Sequence, residues 1–214
     1  MKERLQTLIY IHDPMCSWCW GFRPVWQQVQ QAVSGKFDVR YVLGGLAPDT
    51  DLPMPQTMQN TIRETWERIQ HEIPDTEFNY DFWTRCSPRR STYPACRAVI
   101  ACRMQQPLSE KAMILAIQQA YYLNSKNPSD EDVLIQLAED IGLDTTTFVC
   151  DFRSKACSNE LEDEIQLARK LNVSSFPALI LSQDSVDTTI HIDYNSSDNI
   201  IKQVLQKLDS FSCK

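Results

Sequence analysis

Cys16 and Cys19 enclose the dipeptide Ser17-Trp18 where an aliphatic segment gives way to a helical pattern, and this placement limits the chain's folding choices more than any other feature. Leu5 to Ile11 is rich in aliphatic residues and stops at His12-Asp13-Pro14, where proline cannot join a ladder, so it reads as a buried strand. From Phe22 the apolar residues fall at 22, 25, 26, 29 and 33, the spacing of one helix face, and Ser34-Gly35 ends the run. Phe37 to Leu43 gives a second strand, stopped by Gly44-Gly45. A strand, a helix and a strand joined this tightly make a right-handed βαβ unit with parallel strands. The cysteine pair lies where its first strand feeds its helix.

After Gly45 strand signals fade. A lead-in with Pro48, Pro53 and Pro55 precedes helical periodicities. Met58, Ile62, Trp66 and Ile69 share one face; Pro94 is placed as the first helical residue before Ala95 to Met104; Ala112 to Tyr121 and Val133 to Ile141 follow. Gly142 fits the position just past a helix end, and Thr146 to Arg153 makes one more short helix. Asn159 with Glu162 forms a capping box ahead of Leu161, Ile165, Ala168 and Leu171. Strand chemistry then resumes at Ala178 to Leu181 and Thr188 to Ile192, around a turn near Gln183-Asp184-Ser185, and a helix carrying Ile200, Ile201, Val204, Leu205 and Leu208 closes the chain. The expected fold class is α/β, in the order β-α-β, helical insertion, α-β-β-α. The expected division is residues 1–47 and 157–214 as one discontinuous domain and 48–156 as an all-helical insertion.

Of the 214 residues 43% are apolar and 23% charged, which fits a globular chain better than a disordered or membrane one. A net charge of −7 argues against nucleic acid or an anionic membrane as partner. Met1-Lys2-Glu3-Arg4 runs into a short, interrupted apolar stretch without the core or cleavage site of a secretory signal, so the expected compartment is the cytoplasm. There, most of the eight cysteines should be free thiols. Cys86, Cys102, Cys150, Cys157 and Cys213 are expected to be small buried hydrophobes.

Disulfide exchange needs one sulfur that attacks as thiolate and a second near enough to resolve the mixed disulfide. At a helix start the free backbone N–H groups and the positive dipole end stabilise an anion on Cys16, the expected nucleophile. Cys19, one turn in, is the expected resolving thiol. Ser17 and Trp18 between them help set the redox potential. A zinc site would need a second pair at ligand spacing, whereas Cys96/Cys102 and Cys150/Cys157 are too widely spaced and no His pair appears; no metal is expected.

Four segments carry a family resemblance: Asp13-Pro14-Met15-Cys16-Ser17-Trp18-Cys19-Trp20-Gly21-Phe22, Gly44-Gly45-Leu46, Pro94-Ala95-Cys96-Arg97-Ala98 and Ser175-Phe176-Pro177. The chain resembles the DsbA-like thioredoxin superfamily, in particular its FrnE-like or predicted protein-disulfide-isomerase branch. The resemblance implies a thioredoxin fold with a helical insertion and dithiol–disulfide exchange through Cys16. In such folds a cis-proline, here Pro177, faces the pair, and the backbone of Ser175 and Phe176 pairs with an extended substrate. Trp18 replaces the histidine of the secreted members. The implied partners are thiol or disulfide proteins, with glutathione as a candidate co-substrate and no cofactor beyond the cysteine pair itself.

Two other readings are weighed beside it. Kappa-class glutathione transferases and 2-hydroxychromene-2-carboxylate isomerases share the superfamily but carry a serine near the position of Cys16 and lack the pair. A non-catalytic chaperone or binding module would use an aromatic groove of Trp18, Trp20 and Phe176, against which Trp26 reads as core. Cys96 is a candidate third redox thiol if its helix points it toward the cleft. His12, Asp13 and Arg97 are candidates to flank the pair, with no motif that gives them a proton-transfer role.

Overall fold

The computed structural model describes residues 6–183 and 186–212; Met1 to Leu5, Asp184, Ser185, Cys213, Lys214 and the side chains of residues 208–212, Leu208 among them, lie outside the described residues. Strand β1 (Gln6–His12) feeds helix α1 (Ser17–Val33), which returns to strand β2 (Phe37–Leu43). Helices α2 (Gln56–Glu72), α3 (Phe82–Arg85), α4 (Tyr93–Gln105), α5 (Glu110–Tyr122), α6 (Glu131–Asp140) and α7 (Thr145–Phe152) come next. Helix α8 (Lys155–Lys170) leads back to strands β3 (Ala178–Gln183) and β4 (Val186–Ile190), and α9 (Ser197–Ser212) follows.

The sheet order is β2-β1-β3-β4, with β1 parallel to β2 and antiparallel to β3, and β3 antiparallel to β4. Strand β1 is therefore paired on both edges and covered on both faces. That is why Leu8 to His12 are all buried instead of alternating with exposed residues. Tyr10 stacks on Trp26 of α1, while Ile9, Ile11, Val42 and Ile180 pack with Ala168 of α8. Ala98, Val99 and Phe148 from the helical middle belong to the same continuous core as Leu8 and Tyr10. Register places the site: His12 pairs with Leu43, and Ile11 with Ala178. Asp13, Gly44 and Pro177, each the next residue along, thus leave the sheet at one end.

Several boundaries differ from those read in the sequence. Helix α1 begins at Ser17, ahead of Phe22, because Cys16 supplies an extended N-cap and Ser17-Trp18-Cys19 already wind into the first turn. Helix α8 begins at Lys155, where Ser154 Oγ accepts from the Cys157 N–H at 3.0 Å; Asn159 lies inside the helix, so the Asn159/Glu162 capping box does not form. Helix α4 begins at Tyr93, which makes Pro94 its second residue, where an amide is still not needed. Met58 is 38% exposed: α2 meets Gly21 of α1 through Ile69, near its far end, and its first turn stays in solvent. Strand β4 starts at Val186 and stops at Ile190, short of Ile192. Gly142, with φ +83°, ends α6 as expected.

Candidate functional site

Cys16 is the extended N-cap of α1, with φ −80° and ψ 118°. No side chain caps this helix, and its first turn holds no acid. Its leading N–H groups and the positive dipole end are thus left for a group at the position of Cys16. Cys16 is 6% exposed and Cys19 0%, and both are free thiols. Burial pushes the Cys19 thiol well up, and its S–H, donated to Cys16, pushes it further, while a backbone N–H from Asp13 acts in the opposite sense. The Cys16 S–H donates to the Phe176 carbonyl at 3.5 Å. The Phe176–Pro177 bond is cis; Ser175 is exposed, Phe176 half-buried and Pro177 buried.

The fit of Phe176 depends on Gly44. A Cβ placed on Gly44 would lie 2.0 Å from Phe176 Cζ and 2.1 Å from Cε1, so the ring occupies the space a side chain would take. At Gly45, with φ +61°, a Cβ would come within 2.5 Å of Ile165 and 2.9 Å of Tyr93. The glycine pair lets α8, α4 and the Pro177 loop close over the end of β2.

Asp13 ties the segments together. Its carboxylate accepts from the backbone N–H of Met15 at 2.8 Å and of Leu46 at 2.7 Å, and from Thr92 Oγ1 at 2.7 Å. The Cys96 S–H also points to it, at 3.6 Å. One buried carboxylate thus joins the cysteine loop to the loop after β2 and to the start of α4. Burial pushes its pKa up against the pull of these donors. Cys96 is fully buried and turned toward Asp13, away from any open cleft.

The dipeptide between the cysteines is held from outside α1. Trp66 of α2 donates its indole N–H to Ser17 Oγ at 2.9 Å. Trp18 packs on Tyr194 at 5.0 Å, with the Arg68 guanidinium 5.3 Å from its ring centre. Trp20 turns away, stacking on Tyr122 and donating to the Glu77 carbonyl at 3.0 Å. Trp18, Trp20 and Phe176 are therefore engaged separately, and no ring contact among the described residues joins them into one groove. Tyr10, Tyr122 and Tyr194 surround the pair, and burial pushes all three phenols up, so they present neutral hydroxyls. His12 stacks flat on Tyr10 at 5.0 Å. Both its ring nitrogens are buried without a partner among the described residues. Burial first, then the Arg103 charge, push its pKa down to about 3.

Cys16, Cys19, Ser17, Trp18, Phe176 and Pro177 thus meet at one end of the sheet. Sequence reasoning missed Trp66, read only as part of a helix face, and Thr92, which carried no signal. Gly44 stood in a quoted motif, but its contact with Phe176 is tertiary. Arg97 is spent on Asp49, at 2.8 and 2.9 Å. Of the remaining cysteines, Cys102 and Cys157 are buried, Cys86 is half-buried, and Cys150 is exposed, contrary to expectation, on the outer face of α7. Among the described residues no cluster of three or more His, Cys, Asp or Glu is placed to hold a metal ion, and no helix is long and apolar enough to cross a membrane.

The thioredoxin family profile matches residues 9–203. The ClpXP adapter protein SpxH of Halalkalibacterium halodurans is 26% identical over 213 residues, covering 95% of this chain and 69% of that protein. A structure from Nitrosomonas europaea, provisionally named a protein disulfide isomerase, superposes with a TM-score of 0.84 at 27% identity, over 97% of this chain and 98% of that one. The cytosolic disulfide reductase DsbM of Pseudomonas aeruginosa gives 0.77 at 24% identity, over 95% and 98%, and has also been solved with GSH; at that identity the likeness is one of fold. The chain belongs to the thioredoxin family.

Proposed function

We propose that the protein is a thiol–disulfide oxidoreductase in which Cys16 attacks and Cys19 resolves. The observation that carries this reading is the approach of Cys16 to the Phe176 carbonyl beside Pro177, with Cys19 buried one turn behind. The thiolate of Cys16 attacks a substrate disulfide, forming a Cys16–substrate bond and releasing one substrate thiolate, which takes up a proton. Cys19 then loses its proton, attacks the Cys16 sulfur and expels the second substrate thiolate. The substrate gains two electrons and the pair becomes a disulfide; two electrons from glutathione or a dithiol protein restore it. Run backward, the same steps oxidise or isomerise a substrate.

The exposed backbone of Ser175 and the half-buried Phe176 suit an extended peptide laid beside Pro177, with Trp18 and Arg68 at its flank. The raised pKa of Cys19 supports its assignment as the sulfur that waits. The many free thiols and the likeness to a cytosolic reductase support the cytoplasm as compartment, and the GSH-bound neighbour supports glutathione as a co-substrate. A second reading, a binding role, rests on the relatives named as adapters. The test is insulin reduction under a glutathione couple, run beside glutathione conjugation to an electrophilic arene. The account expects reduction that disappears in Cys16→Ser, and little conjugation. Conjugation that survives Cys19→Ser would instead assign a kappa-type transferase, and partner binding without any reduction would assign the adapter role.

A further inference from the structure

A cavity of about 280 Å³ lies between α1 and α5, over the outer part of the sheet. Phe176 and Pro177 do not line it, whereas Cys19 does, so the cavity reaches the inner side of the cysteine pair. Its walls are aromatic and aliphatic: Tyr10, Trp26, Tyr41 and Ile114 are all buried. Gln118, 4% exposed, also lines it, and its side-chain amide has no hydrogen-bond partner among the described residues. Because Gln118 lines the cavity, its amide is free to pair with a group bound there. Arg23 and Lys111 stand at the rim. Arg23 lies 5.6 Å from the Trp20 ring centre; Lys111 donates to Gln30 Oε1 at 2.8 Å and lies 5.5 Å from the Tyr41 ring centre. Neither cation is in an ion pair with a described residue.

These features define a ligand. Flat apolar walls accept an aromatic or other planar apolar body. Two cations without a carboxylate partner, on a protein of net charge −7, call for an anion at the rim. The amide of Gln118 offers a donor and an acceptor to a polar group of the ligand. A cavity of about 280 Å³ has room for one ring with a short acidic arm. We propose that this cavity is a binding site for a small planar carboxylate, separate from the face of the cysteine pair that meets Phe176.

The test uses phenylacetate and its uncharged counterpart phenylacetamide, titrated into the full-length reduced protein by isothermal calorimetry. Saturable one-to-one binding of phenylacetate is expected, about fivefold tighter than that of phenylacetamide. In the Arg23→Gln/Lys111→Gln variant, which changes only rim side chains, phenylacetate should weaken about tenfold and phenylacetamide by less than twofold, as expected for the loss of charge attraction at a partly solvated rim. Gln118→Leu should weaken both. The proposal is overturned if phenylacetate does not saturate, if acid and amide bind equally, or if the rim variant leaves phenylacetate unmoved. Since none of these readouts uses disulfide exchange, they stand apart from the function proposed for the cysteines.

Discussion

The ring of Phe176 fills the space in which a side chain on Gly44 would begin, with Cζ only 2.0 Å from that Cβ position. Gly44→Ala must therefore move Phe176, and with it the carbonyl that meets Cys16. A stability loss of about 1–3 kcal/mol is expected from the overpacking, together with slower exchange. The check is a double-mutant cycle: in a Phe176→Ala background Gly44→Ala should cost little, so the two losses should not add. Additive losses would show that the ring and the glycine are independent.

The bond from Trp66 to Ser17 makes a second prediction. Ser17→Ala leaves a buried indole N–H without its acceptor, at a cost of about 1–3 kcal/mol by urea unfolding. Trp66→Phe removes the donor, so adding Ser17→Ala to Trp66→Phe should cost much less than Ser17→Ala alone. If both backgrounds lose the same amount, the hydrogen bond does not hold the dipeptide.

A third prediction concerns acid. His12 has a folded pKa of about 3 against an ordinary value of 6.5, so between these values the unfolded chain binds a proton that the folded one does not. Stability should therefore rise with pH across this window, by up to about 1.4 kcal/mol per pH unit from this group. His12→Phe keeps a ring against Tyr10 and removes the titration. Its stability relative to the unsubstituted protein should improve as pH falls from 6.5 toward 3. A constant difference across that range would mean that His12 does not bind a proton on unfolding.

The parts of this architecture that were legible in the sequence are those fixed by local pattern. The aliphatic run before Pro14, the helix face from Phe22 to Val33 and the second strand up to Gly44 each carry their own period. The cysteine pair at their junction locates the candidate site. Ser154 took the cap of α8 because its hydroxyl reaches the Cys157 N–H one turn before Asn159 could act, and two capping residues this close cannot be ranked from spacing. The Trp66–Ser17 bond spans 49 positions and the Thr92–Asp13 bond 79; both depend on how α2 and α4 dock, which no local period records. Cys96 could be placed on its helix but not turned about it, and the direction in which it faces is set by Asp13.

The most direct measurement of the central claim is mass-spectrometric trapping of covalent intermediates with a peptide disulfide. If Cys16 attacks and Cys19 resolves, Cys19→Ser should accumulate a mixed disulfide joined through Cys16, while Cys16→Ser should accumulate none through Cys19. A stable adduct on Cys19 in the Cys16→Ser protein, with none on Cys16 in the Cys19→Ser protein, would contradict the assignment.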